Sequence, residues 1–195
     1  MKKLLIAVVS IAIVSAAFAG ITDTKHDFSG AGWSGGTICQ PCHTPHNSMD
    51  VSSQAPLWNH ELSSQTFTVY GNGSGTLLGT SVTQPGTNSL LCLGCHDGNT
   101  SMDNYGGVTA SGNEMGAVDG NFGTDLQNDH PIGIVYGGTA KGLWSSPTAA
   151  GIKLYAGNKV ECGSCHNVHE YDADKQPFLR VSPSASALCL ACHNK

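Results

Sequence analysis

Past its first residues, this 195-residue chain has no long segment in which apolar residues recur at the 3.6-residue helical period. A conventional core of packed amphipathic helices is therefore not expected. No later apolar run reaches the roughly 20 residues that a membrane span needs. Positive charge is scarce, with nine Lys and Arg against fourteen Asp and Glu and a net charge of −5. That balance gives no basic face of the kind that binds nucleic acid. Methionine after Met1 is limited to Met49, Met102 and Met115, and cysteine is absent outside one recurring pentapeptide.

That pentapeptide is Cys-x-x-Cys-His, and its four copies use all eight cysteines: Cys39-Gln-Pro-Cys42-His43, Cys92-Leu-Gly-Cys95-His96, Cys162-Gly-Ser-Cys165-His166 and Cys189-Leu-Ala-Cys192-His193. The spacing is that of c-type haem attachment. The two thiols add across the haem vinyl groups, and the histidine supplies one axial nitrogen to iron. In a helical turn the two cysteines and the histidine fall at i, i+3 and i+4, on one face. A disulfide framework would not require a histidine after every second cysteine. Structural zinc needs only two Cys-x-x-Cys pairs per metal and leaves the trailing histidines redundant. Four motifs with no cysteine left over point to four c-type haems.

The N-terminus has the pattern of a secretory signal: Lys2 and Lys3, an apolar stretch Leu4 to Val14, then Ala17-Phe18-Ala19 as an A-x-A cleavage site. Residues 1–19 are read as a signal peptide and 20–195 as a single tetrahaem domain, an exported protein. Cleavage removes two lysines and makes the remainder more acidic. That remainder is rich in Gly, Ser, Thr and Asn, with 25 glycines in the whole chain. The stretch from Asp97 to Asp129 reads as loop, whereas Thr66-Phe67-Thr68-Val69-Tyr70 alternates as a strand does. The expected fold class is a loop-rich, mostly irregular multihaem cytochrome c with few short helices near the motifs and minor strand. Stacked haems form the interior, and without haem the chain should not fold.

An internal repeat divides the domain into two haem-pair units, about 20–110 and 111–195. Cys39 to His46 matches Cys162 to His169, each ending in a second histidine. Each is followed by a second type of site, Ser89 to His96 matching Ser186 to His193. Nine histidines less the four in the motifs leave His26, His46, His60, His130 and His169 as candidate distal ligands for four irons. His46 and His169 follow their motif histidine by three residues, so each should serve a neighbouring haem rather than its own. Bis-histidine ligation leaves no iron position for substrate and lacks the methionine that raises potential. Low-potential one-electron transfer is expected, not catalysis. A multihaem reductase would need one open iron, and a monomeric periplasmic shuttle would carry the same four motifs.

The runs Lys25-His26-Asp27-Phe28-Ser29-Gly30, Cys42-His43-Thr44-Pro45-His46-Asn47 and Pro56-Leu57-Trp58-Asn59-His60 resemble the doubled-CXXCH cytochromes. They are most similar to the extracellular tetrahaem cytochromes that polymerise into conducting filaments, the OmcE type. The resemblance implies a head-to-tail homopolymer at the cell surface. In it a histidine of one subunit, here His46 or alternatively His26, ligates a haem of the next. Cytochromes or extracellular acceptors are the implied redox partners. Asn72-Gly73-Ser74 and Asn99-Thr100-Ser101 fit a glycosylation acceptor pattern, but such triplets are common; turn chemistry explains Asp97-Gly98-Asn99 and Asp119-Gly120-Asn121 more simply than calcium does.

Overall fold

A parallel pair of two-residue strands, β1 (Thr68–Val69) and β2 (Asp125–Leu126), is the only sheet among the described residues. The computed structural model describes residues 20–51, 55–71, 83–107, 110–137 and 142–195. The signal-peptide reading of residues 1–19 and the triplet at Asn72 lie outside them. Three α-helices occur among the described residues: α1 (Thr87–His96), α2 (Cys162–Cys165) and α3 (Ala187–Leu190). Short 3-10 turns lie at Phe28–Gly30, Pro147–Ala150, Ala173–Lys175 and Ser184–Ser186. The protein is loop-rich with few short helices, as its composition leads one to expect. Among the described residues no helix is long and apolar enough to cross a membrane.

Each α-helix ends on or within a cysteine motif, so the helices exist where the attachment sites are. The first motif makes the same turn without extending it. His43 N–H donates to the Cys39 carbonyl at 2.8 Å, and Pro41 offers no N–H to continue the ladder.

β1 falls inside the alternating run at 66–70. One edge pairs with β2 in the register Thr68–Asp125 and Val69–Leu126. The Gln84 side-chain amide stands in for a missing strand, accepting from Phe67 N and donating to Phe67 O at 3.0 Å each. The sheet seats Val69 and Leu126 against Phe67 and Leu93, with Leu90 and Ile132 packed on the cluster. Leu90 and Leu93 reach it together because residues three apart share a helix face.

The Gly- and Asn-rich stretch after Asp97 contains β2, and side-chain carboxylates hold the rest of it. Asp97, fully buried, accepts from Ser63 Oγ at 2.5 Å, from Asn99 N and Thr100 N at 2.8 Å each, and from Thr100 Oγ1 at 2.9 Å. Asn99, the first residue of one supposed glycosylation triplet, donates back to the Asp97 carbonyl at 2.8 Å. Asp103 gathers the hydroxyls of Ser101 and Ser111. These Asx-type turns replace the helix and sheet ladders that the sequence does not favour.

The apolar cluster is small, so each member matters. Leu93→Ala should destabilise the intact protein by about 2–5 kcal/mol, while Val118→Ala, on an exposed side chain, should change it by less than about 0.5 kcal/mol. Chemical denaturation of the two variants beside the parent protein checks both.

Candidate haem-attachment site

No two of the eight cysteines are joined by a disulfide. In every motif the two cysteines and the histidine are brought to one face by the same turn. The histidine N–H reaches the first cysteine's carbonyl in motifs one, three and four at 2.8, 3.1 and 2.9 Å. In motif two the turn is the last of α1. The second cysteines are inward: burial pushes Cys42 up to about 11, Cys95 up to about 12 and Cys165 up to about 11. A buried neutral thiol is a poor nucleophile.

Three motif histidines share a further feature. His43 Nδ1 donates to the Pro56 carbonyl at 3.0 Å, His96 Nδ1 to Gly120 at 2.6 Å and His166 Nδ1 to Pro177 at 2.8 Å. A carbonyl can only accept, so each ring carries its proton on Nδ1 and presents Nε2 with a free lone pair. That is the tautomer and orientation that a metal-ligating imidazole needs.

The two units repeat at atomic detail. In the first, Thr44 N donates to Leu57 O at 2.9 Å and Asn59 N to Cys42 O at 2.9 Å. In the second, Asn167 N donates to Phe178 O at 2.8 Å and Arg180 N to Cys165 O at 2.8 Å. Pro56 and Pro177 occupy equivalent places as partners of the motif histidines. Leu57 and Phe178, one residue on, both adopt positive φ, at 59° and 55°. The fourth motif is held differently, by Tyr136 Oη to Cys192 O at 3.1 Å and Trp144 Nε1 to Leu190 O at 2.9 Å.

The spare histidines fall into a pattern. His169 lies beside His43 with ring centroids 5.9 Å apart, His26 beside His96 at 5.9 Å, and His130 beside His193 at 6.4 Å. Two imidazoles bonded to one metal from opposite sides, at about 2 Å each, hold their centroids roughly 6 Å apart. All three pairs join a motif histidine to a spare one. Burial and the charges of His96 and His166 push His26 down to about 4, so its ring is neutral, as a ligand must be. Its Nδ1 is buried without a hydrogen-bond partner. The donor set fits iron-bound c-type haem on these observations.

His46 and His60 stand apart. His46 is exposed and lines a polar cavity of about 510 Å³ with Gln40, Asn59 and Glu61. His60 is buried, with Nδ1 at 2.8 Å from Glu61 O and Nε2 at 3.2 Å from Met102 O. The expectation that His60 is a distal ligand finds no motif histidine opposite it. Its Nε2 faces Cys95 Sγ at 3.4 Å instead. Sequence reasoning also passed over two motif glycines. A Cβ on Gly94 would sit 2.5 Å from Glu61 O, and one on Gly163 would overlap Tyr155 Oη and lie 2.6 Å from Asn88 Oδ1.

In comparison with known families, the doubled CXXCH motif matches residues 156–195, which contain the third and fourth pentapeptides. No curated protein matches the chain. The match supports a multihaem c-type cytochrome, with covalently bound haem and electron transfer as its chemistry.

Asp97, directly after His96, is the most heavily bonded carboxylate near a motif. Burial pushes its pKa up, but the bonds from Ser63, Thr100 and Asn99 outweigh burial and hold it below the usual range. A depressed carboxyl contributes stability that is present above its unfolded pKa and lost as pH falls through the folded one. Asp97→Asn should therefore destabilise by about 1.5–3 kcal/mol at neutral pH, the range for bonds to a charged group. The deficit should shrink in acid, below about pH 4. Denaturation midpoints at neutral and acid pH check this.

Proposed function

We propose that the protein carries four c-type haems and is the subunit of an extracellular head-to-tail filament that conducts electrons. When bound, the haems supply reversible one-electron transfer at iron. The chain's part is to hold each iron between two imidazoles. His43 is opposed by His169, His96 by His26 and His193 by His130; His60, engaged by two carbonyls, is structural.

One observation carries the filament reading. His169 follows the first motif of the second unit and reaches back to His43, the first motif of the preceding unit. The repeat gives His46 the same place in the first unit, whose Cys39 motif is the first of the four Cys-x-x-Cys-His copies. His46 is exposed, and the three close pairs of rings leave His166 as the motif histidine without one, although His26 lies near enough to feel its charge. Continued into another copy, the same step brings His46 to the neighbour's third motif. A contact of this kind is heterologous and does not close on itself, so it generates an open filament. The small apolar cluster of the chain also fits a molecule whose interior is completed by haem.

Residues 1–19 serve in this reading as the export signal, and the haems are attached outside the cytoplasm. Its redox partners are other cytochromes or extracellular acceptors, with no role for nucleic acid.

Pyridine haemochrome assay of purified protein should give four haems per chain. His130→Ala should convert one of the four from low to high spin in the visible and EPR spectra. Electron cryo-microscopy of material from outside the cells should find filaments, and His46→Ala should abolish them while leaving four haems attached. Discrete monomers with four low-spin haems would instead make the protein a diffusing carrier. Monomers with one vacant iron in the wild type would direct attention to a reductase.

A further inference from the structure

The second and third motifs meet inside the chain through a buried polar junction. Glu161, immediately before Cys162, is 2 % exposed. Its carboxylate accepts from Ser89 Oγ, from Gly86 N at 3.2 Å and from Ser164 N. Ser89 Oγ also accepts from Cys162 N at 3.1 Å, and Asn88 Oδ1 accepts from Gly163 N at 3.1 Å. The first turns of α1 and α2 are thus clamped together around one carboxylate. α1 carries Cys92 and α2 carries Cys162, and those two thiols are within hydrogen-bonding contact of each other.

The residue before the first cysteine is Ile38, Leu91 or Leu188 in the other three motifs. Only the third motif has an acid there. A helix cap alone would be met by Ser or Asp at the surface, and a buried carboxylate costs stability unless it is well bonded. Burial pushes its pKa up, while every group bonded to it is a donor and pulls toward the ionised form. Lys159 is the cation whose charge reaches it.

We propose that Glu161 is a positioning and charge-setting residue for the junction between the second and third haems, an inference that rests on haem attachment at those two motifs. Its bonds fix Cys92 against Cys162. Its negative charge, buried next to both attachment points, opposes the gain of an electron at either site. The haems at these two motifs therefore have lower potentials than they would have beside a neutral side chain, while the other two are little affected.

The test is an EPR-monitored redox titration at pH 8 of the full-length haem-loaded protein. Wild type is compared with Glu161→Gln, Ser89→Ala and the exposed control Glu114→Gln. Haem content is measured first. A wild type lacking haem at the second or third motif overturns the attachment reading and this inference with it. With four haems present, Glu161→Gln should raise two of the four potentials and leave the other two unchanged, as Glu114→Gln should leave all four. Ser89→Ala removes a donor and leaves the anion less compensated, so the same two potentials should fall. A residue that only held the backbone would alter haem retention without moving one pair of potentials in opposite directions. Four unmoved potentials in Glu161→Gln, or one shift common to all four, overturns the inference. If Glu161→Gln yields no holoprotein, Ser89→Ala decides, and an unmoved pair overturns it.

Discussion

A single backbone hydrogen bond, from each motif histidine's N–H to the carbonyl of the cysteine four residues earlier, is the constraint from which the rest of the structure follows. It closes one helical turn and puts two sulfurs and one imidazole on the same face. Everything nearby serves to orient that turn. The Nδ1 bonds to Pro56, Gly120 and Pro177 fix three ring tautomers. The positive-φ residues Leu57 and Phe178 let the chain double back to supply two of those carbonyls. Regular secondary structure is brief because the chain spends its backbone bonds on holding these turns, and the carboxylates of Asp97 and Asp103 stabilise the loops between them.

The repeat was legible because it is written in the motifs themselves, and the alternating run at 66–70 marked β1. The loop-rich character followed from glycine content and the lack of helical periodicity. Distal pairing was not legible. His169 and His43 are separated by more than half the chain, and nothing local to either says which ring stands opposite which. The same holds for His60, whose neighbours in sequence look as ligand-like as those of His130. In three dimensions the ring of His130 lies beside that of His193, whereas His60 Nε2 lies 3.4 Å from Cys95 Sγ.

Close approach explains the other omissions. Gly94 and Gly163 occupy variable positions of the motif, where any residue satisfies the attachment chemistry. Their identity is set by backbone and side chains that arrive from elsewhere: Glu61 for one, Asn88 and Tyr155 for the other. Glu161 likewise reads as an ordinary surface acid until the first turn of α1 is laid against it. A sequence records what a residue can do chemically, whereas burial and the partner's direction decide what it does.

The two units are alike in how they hold their first motif and unlike in what surrounds it. Where the second unit joins the first, the contact is charged, bonded and buried, through Glu161, Ser89 and Asn88. The equivalent position in the first unit is Ile38, and its neighbour Cys39 is exposed, as is Cys189 in the last motif. A permanent junction within one chain can sustain a buried carboxylate, because folding brings its donors every time and the desolvation is met by fixed partners. A contact remade between separate molecules has no such guarantee, and a charge left unpaired whenever the partner is absent would be exposed to water and then desolvated on every encounter. An apolar residue before the exposed first motif and an acid before the buried third one is the arrangement that these two surroundings favour.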